Sequence, residues 1–294
     1  MPASIIDGLR VAERMKCEIR RQVEDWARRG RTLKLAAVLV GDPPAGLVYA
    51  RSQARQCEEM GIEYELVRLP ADSEAPGIAS AIERLNQDRS VTGIMLHMPL
   101  PPGVDAPSLQ YVIDPYKDVE GVNPANIGLV FYGTPIIAPC TALAVVELVN
   151  ETRMELRGAH AVVVGQGAIV GRPVSVFLIQ REATVTACHA ATRDLAVQTR
   201  QADLLIVAVG KPGLIDARHV KPGAVVIDVG INRVQTTDAA GQKTSLTVGD
   251  VDFDSVKEVA GAITPVPGGV GPVTVTMLLR NTVEAARKQQ ARGM

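Results

Sequence analysis

VVVGQGAIVG, residues 162–171, decides how the rest of the chain is read. Three valines make a short buried strand. Gly165, Gly167 and Gly171 follow at its end, where a helix begins. Glycines at a strand-to-helix turn let the backbone approach a pyrophosphate. The helix N-terminus adds free N–H groups and the positive end of its dipole. The spacing is G-x-G-x-x-x-G, one residue longer than the usual dinucleotide fingerprint, so a plain tight turn is the competing reading. The place of the loop, after a strand and before a helix, favours the ligand.

The same rhythm continues outward. AHAVVVG (159–165), ATVTAC (183–188), DLLIVAVG (203–210) and GAVVIDVG (223–230) are apolar runs that end in Gly or a polar turn, with helical stretches near 171–181 and 193–201. In the first half, LKLAAVLV (33–40), IEYELVRL (62–69) and VTGIML (91–96) read as strands. Between them, 48–60 and 74–88 read as helices, the first stopped by Gly61. Strands fed through helices predict parallel sheets covered on both faces. The pattern occurs twice, which predicts two α/β domains with a break near 140–158. An apolar helix at 142–150 and a long last helix at 273–290 are read as links between them. The expected division is 1–148, completed by 281–294, and 149–280.

Composition narrows the class. The 294 residues carry 31 Lys plus Arg against 32 Asp plus Glu, a net charge of -1. Such balance gives no field to draw in nucleic acid or an anionic membrane. Cys17, Cys57, Cys140 and Cys188 have neither metal-ligand spacing nor the density of a disulfide framework, so a reducing, cytoplasmic setting without metal is expected. No signal peptide is read in MPASIIDGLR, and no apolar run reaches membrane-spanning length. What remains is an enzyme or binding protein with a large aliphatic core.

Polar residues then mark candidate sites. Gly210 and Ile231 lie at the C-terminal ends of their strands, the edge where open α/β sheets bind ligands. The strand 183–188 ends in Cys188-His189-Ala190 with no carboxylate, which favours a 2′-phosphate on the dinucleotide; Arg172 and Arg193 are nearby cations. In the first half, Tyr49 and Gln53 are one helical turn apart and share a face. His97 follows a strand, and Lys117, Asp118 and Glu120 make a charged turn before Gly121.

Together with LVGDPPAGLVYARSQARQCEEMGI (39–62), GIMLHMPLPPG (93–103), DPYKDVEGVNPANIG (114–128), PCTA (139–142), VKPGAVVIDVGINR (220–233) and ITPVPGGVGPVTVTMLLRNT (263–282), these segments make a pattern. The chain resembles the bifunctional methylenetetrahydrofolate dehydrogenase/methenyltetrahydrofolate cyclohydrolase family, FolD type, along essentially its whole length. The resemblance implies an N-terminal folate-binding domain, a Rossmann-type domain, a last helix returning to the first, and a homodimer. It implies oxidation of 5,10-methylenetetrahydrofolate with a nicotinamide cofactor, usually NADP, then hydrolysis of the methenyl product to 10-formyltetrahydrofolate. Substrate contacts carry over to Tyr49, His97, Leu100, Glu120, Pro267, Gly268 and Gly269. Cofactor contacts carry over to Thr141, to Gly165, Gln166, Gly167, Ile169, Val170 and Arg172 in the glycine loop, and to Ala190, Gly210, Lys211, Ile231 and Thr274.

The departures are informative. The family's catalytic lysine, four residues after the motif tyrosine, is Gln53 here; its glutamine before the LPLP-type segment is His97; its folate-binding aspartate is Glu120; a motif serine is Gly46. Tyr49 is kept. Hydride transfer asks mostly for positioning and for the cofactor's own chemistry. Cyclohydrolysis asks for proton transfer, which an amide cannot supply. The expectation is a dehydrogenase with weak or absent cyclohydrolase activity, with Tyr49, Gln53, His97 and Glu120 as its catalytic set. The alternatives are a fully bifunctional enzyme with His97 as replacement acid–base, and a non-catalytic folate-binding paralogue. Glu120 is expected to accept hydrogen bonds from the pterin. Gln166 and Ala190 stand where many relatives have Arg and Ser, so NAD is kept as an alternative to NADP.

Overall fold

The structure is a computed structural model that describes residues 2–237 and 243–293. The chain divides into two compact units: Arg14–Cys140 with Thr276–Met294, and Met1–Glu13 with Thr141–Val275. In chain order the first half contains β1 (Ser4–Ile5), α1 (Gly8–Arg28), β2 (Lys34–Val40), α2 (Pro44–Met60), β3 (Glu63–Leu69), α3 (Ala75–Gln87), β4 (Gly93–Leu96), α4 (Ala106–Gln110) and α5 (Pro124–Phe131). The second half contains α6 (Cys140–Glu151), β5 (His160–Val164), α7 (Gly171–Ile179), β6 (Thr184–Cys188), α8 (Leu195–Thr199), β7 (Leu204–Val207) and β8 (Val225–Asp228). It continues with β9 (Asn232–Thr237), β10 (Lys243–Val248), α9 (Phe253–Val256), β11 (Ala262–Ile263) and α10 (Val270–Ala291). Helices α1, α6 and α10 each contribute residues to both units.

The Arg14–Cys140 unit holds a three-stranded parallel sheet in the order β3-β2-β4. The central strand β2 is buried from Leu35 to Val40, which is why its sequence is an unbroken apolar run. Edge strand β3, EYELVRL, alternates because one of its faces meets water. Ala36, Val38 and Val40 of β2 pack with Ile78, Ile82 and Leu85 of α3 and with Ile94 and Leu96 of β4. Helix α2 starts at Pro44, earlier than the periodicity suggests, because proline is suited to a first helical turn. It stops at Gly61, whose φ of 75° lets its N–H reach the carbonyls of Cys57 and Glu58. Helix α1 was not anticipated, although Val11, Met15, Ile19 and Val23 recur at a four-residue spacing and are all buried.

The second unit holds a six-stranded, all-parallel sheet in the order β1-β11-β8-β7-β5-β6. Strand β6 lies on one side of β5 and β7 on the other, so the order reverses between β5 and β7. That is the switch point at which an open α/β sheet leaves a crevice for ligand. The two-residue pairing of β1 with β11 draws Met1–Glu13 into this unit, whereas the sequence reading assigned those residues to the first domain. The helix expected near 193–201 is reduced to α8, preceded by Asp194 in a left-handed conformation with φ 48°. The β9–β10 pair is an antiparallel ribbon that no sequence feature announced. No described helix is long and apolar enough to cross a membrane.

Candidate active site

In the Arg14–Cys140 unit, two elements bring the altered residues together. Tyr49 and Gln53 occupy one face of α2, a turn apart. Met95, in β4, and His97, just beyond it, lie two residues apart and therefore on one side of the extended chain. The rings of Tyr49 and His97 meet edge to face with centroids 5.6 Å apart. Gln53, 2% exposed, donates from Nε2 to the Met95 thioether sulfur at 3.0 Å. Its Oε1 is buried and accepts no hydrogen bond from the described residues. His97, also 2% exposed, shares a 3.4 Å hydrogen bond between Nε2 and the Tyr64 hydroxyl. Burial pushes the His97 pKa down, so the ring is neutral near pH 7.

Glu120 arrives on a segment that runs beside β4. Ile94 N–H donates to the Lys117 carbonyl at 2.7 Å, and Ile94 pairs with Asp118 as an isolated parallel bridge. This brings the Glu120 carboxylate to the Leu96 backbone N–H. Burial first, and the neighbouring Asp118 second, push the Glu120 carboxyl up to about 8. Tyr49 is pushed up to about 12 by burial, with Glu120 and Cys140 adding to it. The other two members of the charged turn are framework. Asp118, fully buried, accepts from the backbone N–H groups of Gly121 and Asn123 and from Asn126 Nδ2. Lys117 Nζ donates to the carbonyls of Leu85 and Asp88 near the end of α3.

Sequence reasoning missed three supports of this site. Tyr64 and Met95 hold His97 and Gln53, and strand alternation was the signal that could have found them. Asn281 donates from Nδ2 to the carbonyls of Val119 and Ala138 and to Cys140 Sγ, fixing the backbone that flanks Glu120. Nothing local in the sequence ties Asn281 to residues more than 140 positions earlier. Leu100, expected at the substrate, is half-buried and packs on the β2–α3–β4 core.

The raised Glu120 pKa has a consequence for folding. A carboxyl whose folded pKa lies near 8, above its ordinary value of 4.5, favours the protonated folded state. Its contribution is complete below pH 4.5 and is lost as pH rises through about 8. Glu120→Gln therefore flattens the fall in melting temperature between those limits relative to the unsubstituted protein. A scan of melting temperature against pH checks this, and two parallel curves refute it.

In the second unit, the glycine loop sits at the switch point. Gly165, φ 100°, packs so closely on the end of β7 that a Cβ there would lie 2.0 Å from the Ala208 carbonyl oxygen. A Cβ on Gly171 would lie 1.8 Å from the Gly165 oxygen, whereas one on Gly167 would meet nothing within 4 Å. Gly167, Ile169, Val170, Gly210 and Ile231 line a groove of about 400 Å³ together with Asp250. Asp250 Oδ2 accepts from the N–H groups of Val209 and Gly210, and Oδ1 accepts from Asn232 Nδ2. Asp228 accepts from the N–H groups of Gly230, Asp250 and Val251, and burial pushes its carboxyl up to about 6. These two carboxylates, unremarked in the sequence, fix the turns after β7 and β8.

The open face at Gly167, the packed glycines beneath it and the rigid turns around the groove fit a dinucleotide. Gln166 Nε2 is turned back onto the Val163 carbonyl at 3.1 Å. Arg172 and Lys211 are exposed, as is Ala190, and Thr141 is half-buried in the first turn of α6. Thr274 is half-buried, and its enclosed Oγ1 has no hydrogen-bond partner among the described residues. Pro267, Gly268 and Gly269 line an apolar pocket of about 300 Å³ with Leu9, Pro265 and Ile231, the last of which also lines the groove. The structure thus places the substrate residues carried over from the resemblance in two units, Tyr49, His97, Leu100 and Glu120 in one and Pro267–Gly269 in the other.

A doubly wound parallel sheet with a glycine loop at its switch point, in a chain that also holds a second α/β unit with a buried polar site, defines a dinucleotide-dependent class of two-domain proteins. Residues 6–120 match the catalytic domain of tetrahydrofolate dehydrogenase/cyclohydrolase, and residues 139–290 match the NAD(P)-binding domain of the same family. The chain belongs to that family. It is 45% identical to the bifunctional protein FolD of Brevibacillus brevis over 98% of this chain and 99% of that one. It is 48% identical to the Moorella thermoacetica FolD over 98% and 100%. Among solved structures, the Campylobacter jejuni bifunctional FolD superposes with a TM-score of 0.91 at 39% identity, covering 98% of this chain and 99% of that one. The Trypanosoma brucei enzyme, solved with NADP cofactor and inhibitor, gives 0.91 at 37%, covering 99% of each.

Proposed function

We propose that this chain oxidises 5,10-methylenetetrahydrofolate to 5,10-methenyltetrahydrofolate with a nicotinamide dinucleotide, and that its cyclohydrolase step is weak or lost. One observation carries the second half of this reading. The residue at the lysine position is the amide of Gln53, buried to 2% exposure and tied through its donor to Met95. An amide of this kind neither takes a proton from water nor hands one to a leaving nitrogen. His97 does not replace it as an acid, because burial keeps its ring neutral and its Nε2 is engaged by Tyr64.

The other residues suit positioning. Tyr49 and His97 make an aromatic wall, and Glu120 offers a carboxyl for the pterin N–H groups. The dinucleotide, when bound, supplies the hydride acceptor. Gly167 and the turns at Gly210 and Ile231 would hold it, on a loop that Gly165 packs against the end of β7, with Arg172 as a cation for a 2′-phosphate. The end of β6 carries no carboxylate to repel that phosphate, so NADP is the preferred cofactor.

The test mixes the protein with methylenetetrahydrofolate and NADP, then NAD, and follows reduced cofactor and methenyl product together. Reduced cofactor with methenyl accumulating is expected, with the lower KM for NADP. Reduced cofactor with methenyl consumed faster than it hydrolyses spontaneously overturns the loss of the second step. No reduced cofactor at all overturns the dehydrogenase.

A further inference from the structure

Gln53 presents an anomaly that its loss of proton chemistry does not explain. Buried polar atoms in folded proteins nearly always find a partner, and an unmet buried acceptor is costly. Gln53 Oε1 has none among the described residues, although the residue is 2% exposed. The orientation of the amide is set by its other end. Nε2 donates to the Met95 sulfur at 3.0 Å, and turning the amide over would press two acceptors, oxygen and sulfur, together. The carbonyl is therefore held, not merely left over. It sits in a quartet in which Tyr49 faces His97 and Gln53 faces Met95.

We propose that the Gln53 carbonyl, fixed by Met95, is an acceptor for positive charge on the one-carbon bridge of the folate, selecting the methenyl form over the methylene form. This rests on the reading that Gln53 stands at the substrate in place of the family's lysine. The two folates share one skeleton and differ by a hydride. In the methylene form both bridging nitrogens are neutral and carry no N–H. Removing a hydride from the bridging carbon, with the nicotinamide ring as its acceptor, leaves an amidinium whose single positive charge is shared by carbon and both nitrogens. An amide oxygen held in a buried, preorganised place is attracted to that charge and gains little from the neutral form. A lysine ammonium at the same point opposes it. The substitution that removes proton transfer thereby favours the product side of hydride transfer. Met95 acts only through Gln53 and is a positioning residue.

The test is calorimetric titration of the cofactor-free protein with 5,10-methenyltetrahydrofolate and with 5,10-methylenetetrahydrofolate, at mildly acid pH where the methenyl form persists. The quantity read is the ratio of the two dissociation constants. Gln53→Leu lowers the preference for methenyl about tenfold, as expected for a lost contact to a charged group. Met95→Leu, an apolar exchange of similar volume, lowers it about threefold by freeing the amide to turn. Methylene affinity stays within about twofold in both, as an interaction confined to the charged form requires. An unchanged ratio in Gln53→Leu with an unchanged melting temperature overturns the proposal while leaving the dehydrogenase intact. If Gln53→Leu fails to fold, the Met95→Leu ratio decides, and no change there overturns the proposal. A ratio altered by Gln53→Leu but not by Met95→Leu removes Met95 from it. Absence of binding of either folate to the unsubstituted protein overturns the functional reading itself.

Discussion

Replacing Gln53 by lysine raises methenyltetrahydrofolate hydrolysis about 10²–10⁴-fold over the unsubstituted chain, the range a positioned acid or base contributes. The position suits the task. It is buried to 2% exposure, so an amine placed there meets a desolvation penalty that lowers its pKa. A lysine whose pKa approaches neutrality can accept a proton from water and return it to the leaving nitrogen. The amide lost in the exchange contributes a contact to Met95, which an apolar lysine stem replaces at small cost. Tyr49, His97 and Glu120 stay in place, so dehydrogenase activity falls only a few-fold. Decay of the methenyl absorbance without cofactor, corrected for the spontaneous rate, reads the gain directly. No gain shows that lysine alone is insufficient at this site. Fast hydrolysis by the unsubstituted protein that His97→Ala abolishes shows that His97 had already rebuilt the step.

How much of this was legible in the sequence depended on whether the signal was local. Strand β2 could be read because a central strand buried on both faces must be continuously apolar, and β3 because an edge strand alternates. The glycine loop could be read because its geometry forbids any other residue at Gly165. The pairing of β1 with β11 could not, since two residues of strand carry no pattern and find their partner more than 250 positions away. The same holds for Asn281, whose three partners lie in segments distant in sequence. Gln53, His97 and Glu120 stood out against the family pattern, but Met95, Tyr64, Asp228 and Asp250 did not. They act by supporting other groups, and their side chains look like ordinary core or turn residues until the hydrogen bonds are seen.

Gly165→Ala and Gly167→Ala, the same change two residues apart, separate folding from cofactor binding. At Gly165 the new methyl would lie 2.0 Å from the Ala208 oxygen, a backbone atom of β7's end, and φ is 100°. Neither the turn nor the sheet can relax cheaply, so the cost is on the order of 3 kcal/mol. For a unit of this size that lowers the melting temperature by roughly 6–12 °C. At Gly167 a Cβ meets nothing within 4 Å and the backbone has no left-handed φ, so stability changes by less than about 0.5 kcal/mol. The methyl instead enters the groove that the proposed dinucleotide would occupy. The dissociation constant for NADP rises about tenfold or more, as when a ligand loses close backbone approach. Calorimetry for melting and titration for NADP check both variants. A Gly167→Ala protein that binds NADP as tightly as the parent shows that the loop is a tight turn and nothing else. A stable Gly165→Ala protein shows that the β5–β7 junction is looser than its packing indicates. Both glycines belong to one motif, yet the protein's own backbone requires Gly165, and the expected result at Gly167 is a requirement set by the ligand alone.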